Sequence, residues 1–453
     1  MKRTTGDAAR VLGGQLVGED LSYGVVSSDS RTIEPGSLFV ALRGPNFDGT
    51  DFAAAAAARG AVAALVERRV AARLTQIVVP DALRALQQLA SAWRAQFDYP
   101  IVGVAGSNGK TTAKTMTGAI LSRTGLCMAT QGNLNNHIGV PLTLMRLTTL
   151  HRSAVVEMGA NRIGDVAELV KIARPTIGLI TNAGAEHLEG FGDLDGVAQG
   201  EGETVAGLAP DATAIINADD PYAGYWRGVA GARRIVTFGA HAPADFSARD
   251  SAQYIEHGEF HTRFTLACPL GERPILLKAG GAHNISNALA AAAAAAAAGA
   301  SLEDIASGLA DFRAVSGRLQ LKAGPRGSWI IDDTYNANPS SVRAGLEVLR
   351  SLSGATWLVL ADMAELGEQT ADLHAHVGSY ARNCGVKRLF AMGTQSSRAV
   401  ETFGAGAEWF ADPNALIRRL QAELKSGVTV LIKGSRVNRL ERVVQALTTG
   451  GKA

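Results

Sequence analysis

The strongest constraint on the fold is a short apolar run, Ile101-Val102-Gly103-Val104-Ala105, that passes directly into Gly106-Ser107-Asn108-Gly109-Lys110-Thr111-Thr112. An unbroken apolar run of that length reads as a strand buried on both faces, the kind that belongs to a parallel sheet covered by helices. The glycines and small residues after it let backbone N–H groups approach phosphate oxygens, and a helix opening at this point adds favourable potential for an anion. In such a loop Lys110 reaches the β- and γ-phosphates and the Thr111 hydroxyl ligates Mg²⁺. The general spacing asks for Gly at position 104, where this chain has Val, so the loop is a variant. An ordinary strand-turn-helix junction is the competing explanation.

The same strand-helix rhythm continues. Ala154–Glu157, Ile177–Ile180 and Ala214–Ile216 are further short apolar runs, and a helix is expected over Ala113–Arg123. A period-2 passage from about Ile235 to Lys278 predicts an antiparallel flap, followed by an Ala-rich helix after His283. Trp329–Ile331, Thr356–Leu360, Arg388–Ala391 and Val428–Ile432 repeat the pattern towards the C-terminus. Before residue 98, Ser37–Leu42 and Gln76–Val79 predict strands and Ala82–Phe97 a helix capped by Asp81, until Tyr99-Pro100 breaks the pattern. The fold class expected is α/β in three domains. These are a smaller N-terminal α/β domain (1–98), a central domain with a doubly wound, mostly parallel sheet (99–314) and a C-terminal Rossmann-like domain (315–453).

Composition narrows the function classes. Lys and Arg total 44 against 42 Asp and Glu, a net charge of +2 without a basic block, which argues against nucleic-acid binding. The three cysteines, Cys127, Cys268 and Cys384, lie far apart, which fits a reducing cytoplasm rather than a disulfide or zinc framework. Met1 to Asp7 lacks an apolar segment behind its basic residues, and the two Ala runs (53–58 and 290–298) are too short to span a bilayer.

Polar residues at strand ends are the remaining candidates. Glu157 closes one strand and His187 follows another, where doubly wound sheets line their ligand crevice; with Thr111 they form a donor set suited to Mg²⁺. Each has a structural alternative. Asn284 and Asn287 sit one turn apart at a helix start, suited to a purine edge or simply to capping. Arg318, Asp333 and Asn336 belong to polar loops around the Trp329–Ile331 strand, and Lys433-Gly434-Ser435-Arg436 is a basic loop suited to a carboxylate. Glu201 and Glu203 otherwise pass as a solvated helix start, Asn217 to Asp220 as a turn, and His374 with His376 as surface or capping residues.

In this order the motifs resemble the Mur ligase family. The likeness covers nearly the whole chain. It includes Ser27 to Arg31 and Pro35 to Gly44, Gly106 to Thr111, Thr130 to Pro141, Glu157 to Asn161, Asp332 to Pro339, Asp362 to Gly367 and Lys433 to Arg436. The resemblance implies a ligase using ATP and Mg²⁺, with UDP-N-acetylmuramoyl-tripeptide and D-alanyl-D-alanine as substrates, an acyl-phosphate intermediate, and a cytoplasmic, monomeric protein of peptidoglycan synthesis. It implies that Gly106, Ser107, Asn108, Gly109, Lys110, Thr111 and Thr112 bind phosphates, with Lys110, Glu157 and His187 catalytic and Thr111, Glu157 and His187 on the metal. Asn284, Arg318 and Asp333 fall to the nucleotide. Ser28, Asp29, Ser30 and Arg31 fall to the uridine diphosphate, and Asn133, Asn135, Asn136, Asn336, Lys433, Ser435 and Arg436 to substrate. The family pattern Ala-Lys-Gly-Glu, with a carbamylated Lys, stands here as Gly200-Glu201-Gly202-Glu203, so Glu201 is expected to serve a second Mg²⁺ directly. Two rivals are a folylpolyglutamate synthase, which shares the core, and a slow ATP-hydrolysing switch module.

Overall fold

The computed structural model describes residues 3–448, so Met1 and Lys2 of the N-terminal reading lie outside the described residues. Three open sheets follow one another along the chain. The first joins Gln15–Val17, Thr75–Val78, Ala63–Val66, Leu38–Val40 and Val26–Ser27 in that spatial order, parallel except at its Gln15–Val17 edge.

The second sheet holds six parallel strands in the order Cys127–Ala129, Ser153–Glu157, Ile101–Ala105, Ile177–Ile180, Thr213–Asn217, Arg234–Phe238. Its side chains alternate between two cores. Ile101, Ala105, Ala154 and Val156 face one side, against Leu86, Trp93 and Leu144. Val102, Val104, Val155 and Leu179 face the other, against Met116, Ile120 and the Ala-rich helix Ala282–Ala297. Burial on both faces is why these strands read as continuous apolar runs. The small side chains of Ala288 and Ala290 to Ala295, all buried, let that helix lie close on helix Lys110–Leu121 and the strands beneath. Helix Ala82–Arg94 joins the first of these cores, packing the N-terminal sheet onto the central one, and Asp81 caps it through Arg84 N–H at 2.9 Å.

Within the central sheet the connections reverse direction beside Ile101–Ala105. The strand after it lies two places to one side, and the strand after Ser153–Glu157 crosses to the other. The crevice at such a switch point opens at the strands' C-terminal ends, which here are Gly106, Met158 and Thr181.

The third sheet runs Gln320–Ala323, Trp329–Asp333, Val428–Lys433, Ala355–Ala361, Arg388–Met392, Ala407–Phe410, parallel but for its first edge. The last strand in sequence is inserted near the middle, which sets Lys433 beside Asp333 in register.

Two expectations change. The helix after the Gly-rich loop begins at Lys110 rather than Ala113, because Gly109 turns the chain at φ 86° directly into it. A Cβ there would also come 2.2 Å from Asn287 Oδ1, so glycine is required. The flap comprises Ser247–Glu256, Glu259–Cys268 and Gly271–Leu277, whereas Arg234–Phe238 is a parallel edge strand of the central sheet.

Candidate active site

The ends of the central and C-terminal sheets meet around a cavity of about 610 Å³, in the usual range for small-ligand sites. Its wall takes Ser107 to Thr112, Asn133, Asn135, Asn136, Glu157 and His187 from the central region. Asn284, Arg318, Asp333, Asn336 and Lys433 complete the wall from the segments that follow.

The loop is held from beneath. Gly106 N–H donates to Glu201 Oε2 at 2.6 Å, Ser107 N–H to Asn182 O at 2.8 Å and Asn108 N–H to Asn182 Oδ1 at 3.0 Å. These three amides are therefore committed inside the protein. Those of Gly109, Lys110, Thr111 and Thr112 open the helix, where no intrahelical partner exists and the helix dipole favours an anion. Lys110 Nζ is folded back onto Gly106 O, Ser107 O (2.9 Å) and Glu186 Oε1 (3.1 Å). Burial alone would lower its ammonium pKa, but the carboxylates of Glu186, Glu201 and Glu157 outweigh that and hold it above the ordinary value.

Glu157 is buried beside this loop. Its Oε1 accepts from the Thr111 hydroxyl at 3.2 Å and Asn135 Nδ2 at 2.9 Å, and Oε2 stands 2.9 Å from Lys114 Nζ without an aligned hydrogen bond. Burial pushes the carboxyl up; Lys114 and Lys110 reverse the effect, so it stays below the ordinary range and ionised. One ionised carboxylate and one hydroxyl side by side suit a hard cation that takes its other ligands from water and phosphate. The expected third ligand, His187, lines the same cavity at φ 49° and directs its Nδ1 to Glu365 Oε2 of the C-terminal sheet's loop. Among the described residues no group of three His, Cys, Asp or Glu is arranged to hold a metal ion.

Several sequence-predicted residues lie outside the cavity. Glu201 is 1% exposed, beneath the loop and inside helix Leu194–Ala206, so it is neither a solvated helix start nor part of the cavity wall. Burial first, opposed by Lys110, pushes its carboxyl up to about 7. Glu203 is used structurally, accepting Gly164 N–H at 2.7 Å and Ala167 N–H at 2.9 Å at the start of helix Asp165–Ala173. Ser28, Asp29, Ser30 and Arg31 lie in the N-terminal region, where Asp29 takes both Arg31 N–H and its guanidinium, and Arg31's hydrogen bonds hold the Asp29 carboxyl down at about 2. Ser435 is buried, tying Ala337 O (3.2 Å) to Ala364 N–H (2.9 Å), and Arg436 points to solvent. His374 is fully buried, not a surface residue. Its Nε2 accepts Met363 N–H and its Nδ1 bonds Thr370 O, fixing the loop that carries Glu365.

The C-terminal region completes the site. Arg318 lies 4.2 Å over the Tyr335 ring and donates to Thr111 Oγ1 at 2.9 Å. Asn338 and Ser340 bond the Asn108 side chain at 2.9 and 3.0 Å. Lys433 Nζ reaches Asp333 at 2.6 Å and Asn336 O at 2.9 Å, whereas the neighbouring Asp332 is structural, bonded to Thr334 and Lys322. Asn284 and Asn287 line the cavity and bond each other (3.1 Å), and Asn284 Nδ2 donates to Gly280 O at 2.7 Å; neither side chain caps the helix start. Sequence reasoning missed Asn182, Glu186, Lys114 and Ser340. Of these only Lys114 carries a signal, one turn beyond Thr111 on the same helix.

Comparison with known proteins agrees with this arrangement. Three family models match in succession: "Mur ligase family, catalytic domain" over residues 22–94, "Mur ligase middle domain" over 104–295 and "Mur ligase, glutamate ligase domain" over 317–436. The UDP-N-acetylmuramoyl-tripeptide--D-alanyl-D-alanine ligase of Escherichia coli is 43% identical, over 97% of this chain and 97% of that protein. A crystal structure of MurF from Acinetobacter baumannii superposes with a TM-score of 0.92 at 33% identity, covering 99% of each chain. MurF ligase from Thermotoga maritima, solved in complex with ADP, superposes at 0.84 with 27% identity, over 94% of this chain and 97% of that one. The chain belongs to the Mur ligase family.

Proposed function

We propose that this protein is an ATP-dependent ligase that joins D-alanyl-D-alanine to UDP-N-acetylmuramoyl-tripeptide, forming ADP and phosphate in peptidoglycan precursor synthesis. The observation that carries the reading is the facing of two sheet ends across one cavity. Free helix amides and Lys110 stand on one side, and Arg318 and Lys433 on the other. The near full-length likeness to ligases named for this reaction supports it.

The chemistry follows from charge. The tripeptide's carboxylate oxygen attacks the γ-phosphorus of ATP, ADP departs, and an acyl phosphate results. The amine of D-alanyl-D-alanine then attacks the acyl carbon and inorganic phosphate leaves from the tetrahedral species. Phosphoryl transfer asks for positioning and charge neutralisation more than covalent help. The amides of Gly109 to Thr112 hold phosphate oxygens, and Lys110, released from Gly106 O and Ser107 O, follows the transferring group. Thr111 and Glu157 would hold Mg²⁺, which when bound neutralises charge on the phosphates. Contacts across the cavity from Asn338, Ser340 and Arg318 hold its two sides together, and closure over bound substrate would keep water from the acyl phosphate.

In this reading residues 1–98 bind the UDP end through Ser28 to Arg31, 99–314 the nucleotide and 315–453 the amine, in a cytoplasmic monomer. Among the described residues no helix is long and apolar enough to cross a membrane. Coupled phosphate release tests the reading. Turnover is expected only with ATP, the UDP-linked tripeptide and D-alanyl-D-alanine together. Turnover with folate and glutamate instead, or ATP hydrolysis indifferent to both substrates, would overturn it.

A further inference from the structure

Gly106 is held by both of its backbone groups. Its N–H donates to Glu201 Oε2 at 2.6 Å, and its carbonyl accepts from Lys110 Nζ. A positive φ of 119° and a Cβ position only 2.1 Å from Thr181 Oγ1 mean that only glycine fits here in this packing. The chain has gone to some length to bring a carboxylate here. Glu201 sits in mid-helix between Gly200 and Gly202, and a Cβ at Gly200 would come 2.4 Å from Phe191. With 1% exposure the carboxyl is desolvated, an arrangement that costs stability unless its partners compensate.

The two anchors differ in permanence. Lys110 must leave Gly106 O when it turns to a phosphate. Once it does, Asn182, Thr181 Oγ1 on Asn108 O and the Ser107–Gly184 pair still hold the later part of the loop, and Glu201 alone bonds Gly106 N–H. Its hydrogen bond to that amide leaves it outside the set of side chains that face the cavity.

We infer that Glu201 is a positioning residue for the nucleotide loop. By accepting the Gly106 N–H it keeps Gly109 to Thr112 aimed at the phosphates after Lys110 has moved, and it does not ligate metal. The inference rests on the reading that this loop holds ATP.

The test is ADP binding to the full-length protein by titration calorimetry in excess EDTA, paired with the Mg²⁺ dependence of phosphate release. Glu201→Gln keeps an acceptor for Gly106 N–H and is expected to bind metal-free ADP within about threefold of the native protein, whereas Glu201→Leu, without an acceptor, loses about tenfold or more. Glu201→Ala accompanies the leucine variant, so that a folding failure in either leaves the comparison standing. The Mg²⁺ concentration for half-maximal turnover is expected to stay at the native value in Glu201→Gln. A raised Mg²⁺ requirement in the glutamine variant, or native ADP affinity in both variants that lack an acceptor, overturns the assignment. Failure of the unmutated protein to bind ADP would instead refute the nucleotide reading itself.

Discussion

At the scale of residues, the site is a set of charges arranged so that each keeps its neighbour ionised. Lys110 and Lys114 hold Glu157 below its ordinary range despite burial, and the nearby carboxylates hold Lys110 above its own. Replacing Lys110 by Ala removes the one mobile cation of the loop and is expected to lower ligation kcat by at least about 100-fold, the scale seen when a single preorganised transition-state donor is lost. An unchanged circular dichroism spectrum would separate that loss from unfolding. Glu201 behaves oppositely. Its folded-state pKa is raised to about 7, so the native state binds the proton more tightly than the unfolded chain does. The resulting penalty is absent below the ordinary carboxyl value of 4.5 and complete above 7, so stability falls as pH rises through that window. Glu201→Gln is therefore expected to melt higher than the native protein at pH 8, with the gain shrinking towards pH 5. A gain independent of pH would contradict this account.

At the scale of elements, close helix packing brings the loop and its supports together. Helix Leu302–Asp311 approaches helix Lys110–Leu121 so tightly that a Cβ on Gly308 would stand 2.4 Å from Ile120 Cα. A backbone atom cannot swing aside as a side-chain tip can. Gly308→Ala is thus expected to cost about 1–3 kcal/mol of stability, the usual penalty of overpacking, read from denaturant midpoints. A midpoint within error of the native value would show that the helices are free to separate. The strands of this region were legible from sequence because burial on both faces leaves an unbroken apolar run. Ile177–Ile180 has the same bounds in the structure as in the sequence reading. Short edge strands such as Cys127–Ala129 and Ala407–Phe410 went unread, because three or four residues carry too little periodicity to stand out from a loop.

At the scale of the whole molecule, polar contacts join the C-terminal sheet's loops to the central domain, among them Arg318 to Thr111, Asn338 and Ser340 to Asn108, and Glu365 to His187. His187 and Glu365 both hold left-handed backbone, at φ 49° and 64°, a conformation that persists for such residues only where the surroundings over-determine it. The double variant Arg318→Ala/Glu365→Ala is expected to have a larger radius of gyration in small-angle scattering without nucleotide. A value equal to the native one would show that docking of the C-terminal region does not depend on these side chains.

The order of residues was enough to set the α/β class, the central sheet's buried strands, the Gly-rich loop and the acidic strand end at Glu157. Each of these is written in consecutive residues, where period, size and charge act locally. Which polar residues share a cavity was settled by the folded packing alone. It set His187 Nδ1 against Glu365, gave Asn182 and Glu201 the first three loop amides, and left Ser435 inside a loop junction. Those outcomes depend on contacts between residues scores of positions apart, and the direction in which a side chain points across such a distance is fixed by packing rather than by its neighbours in sequence.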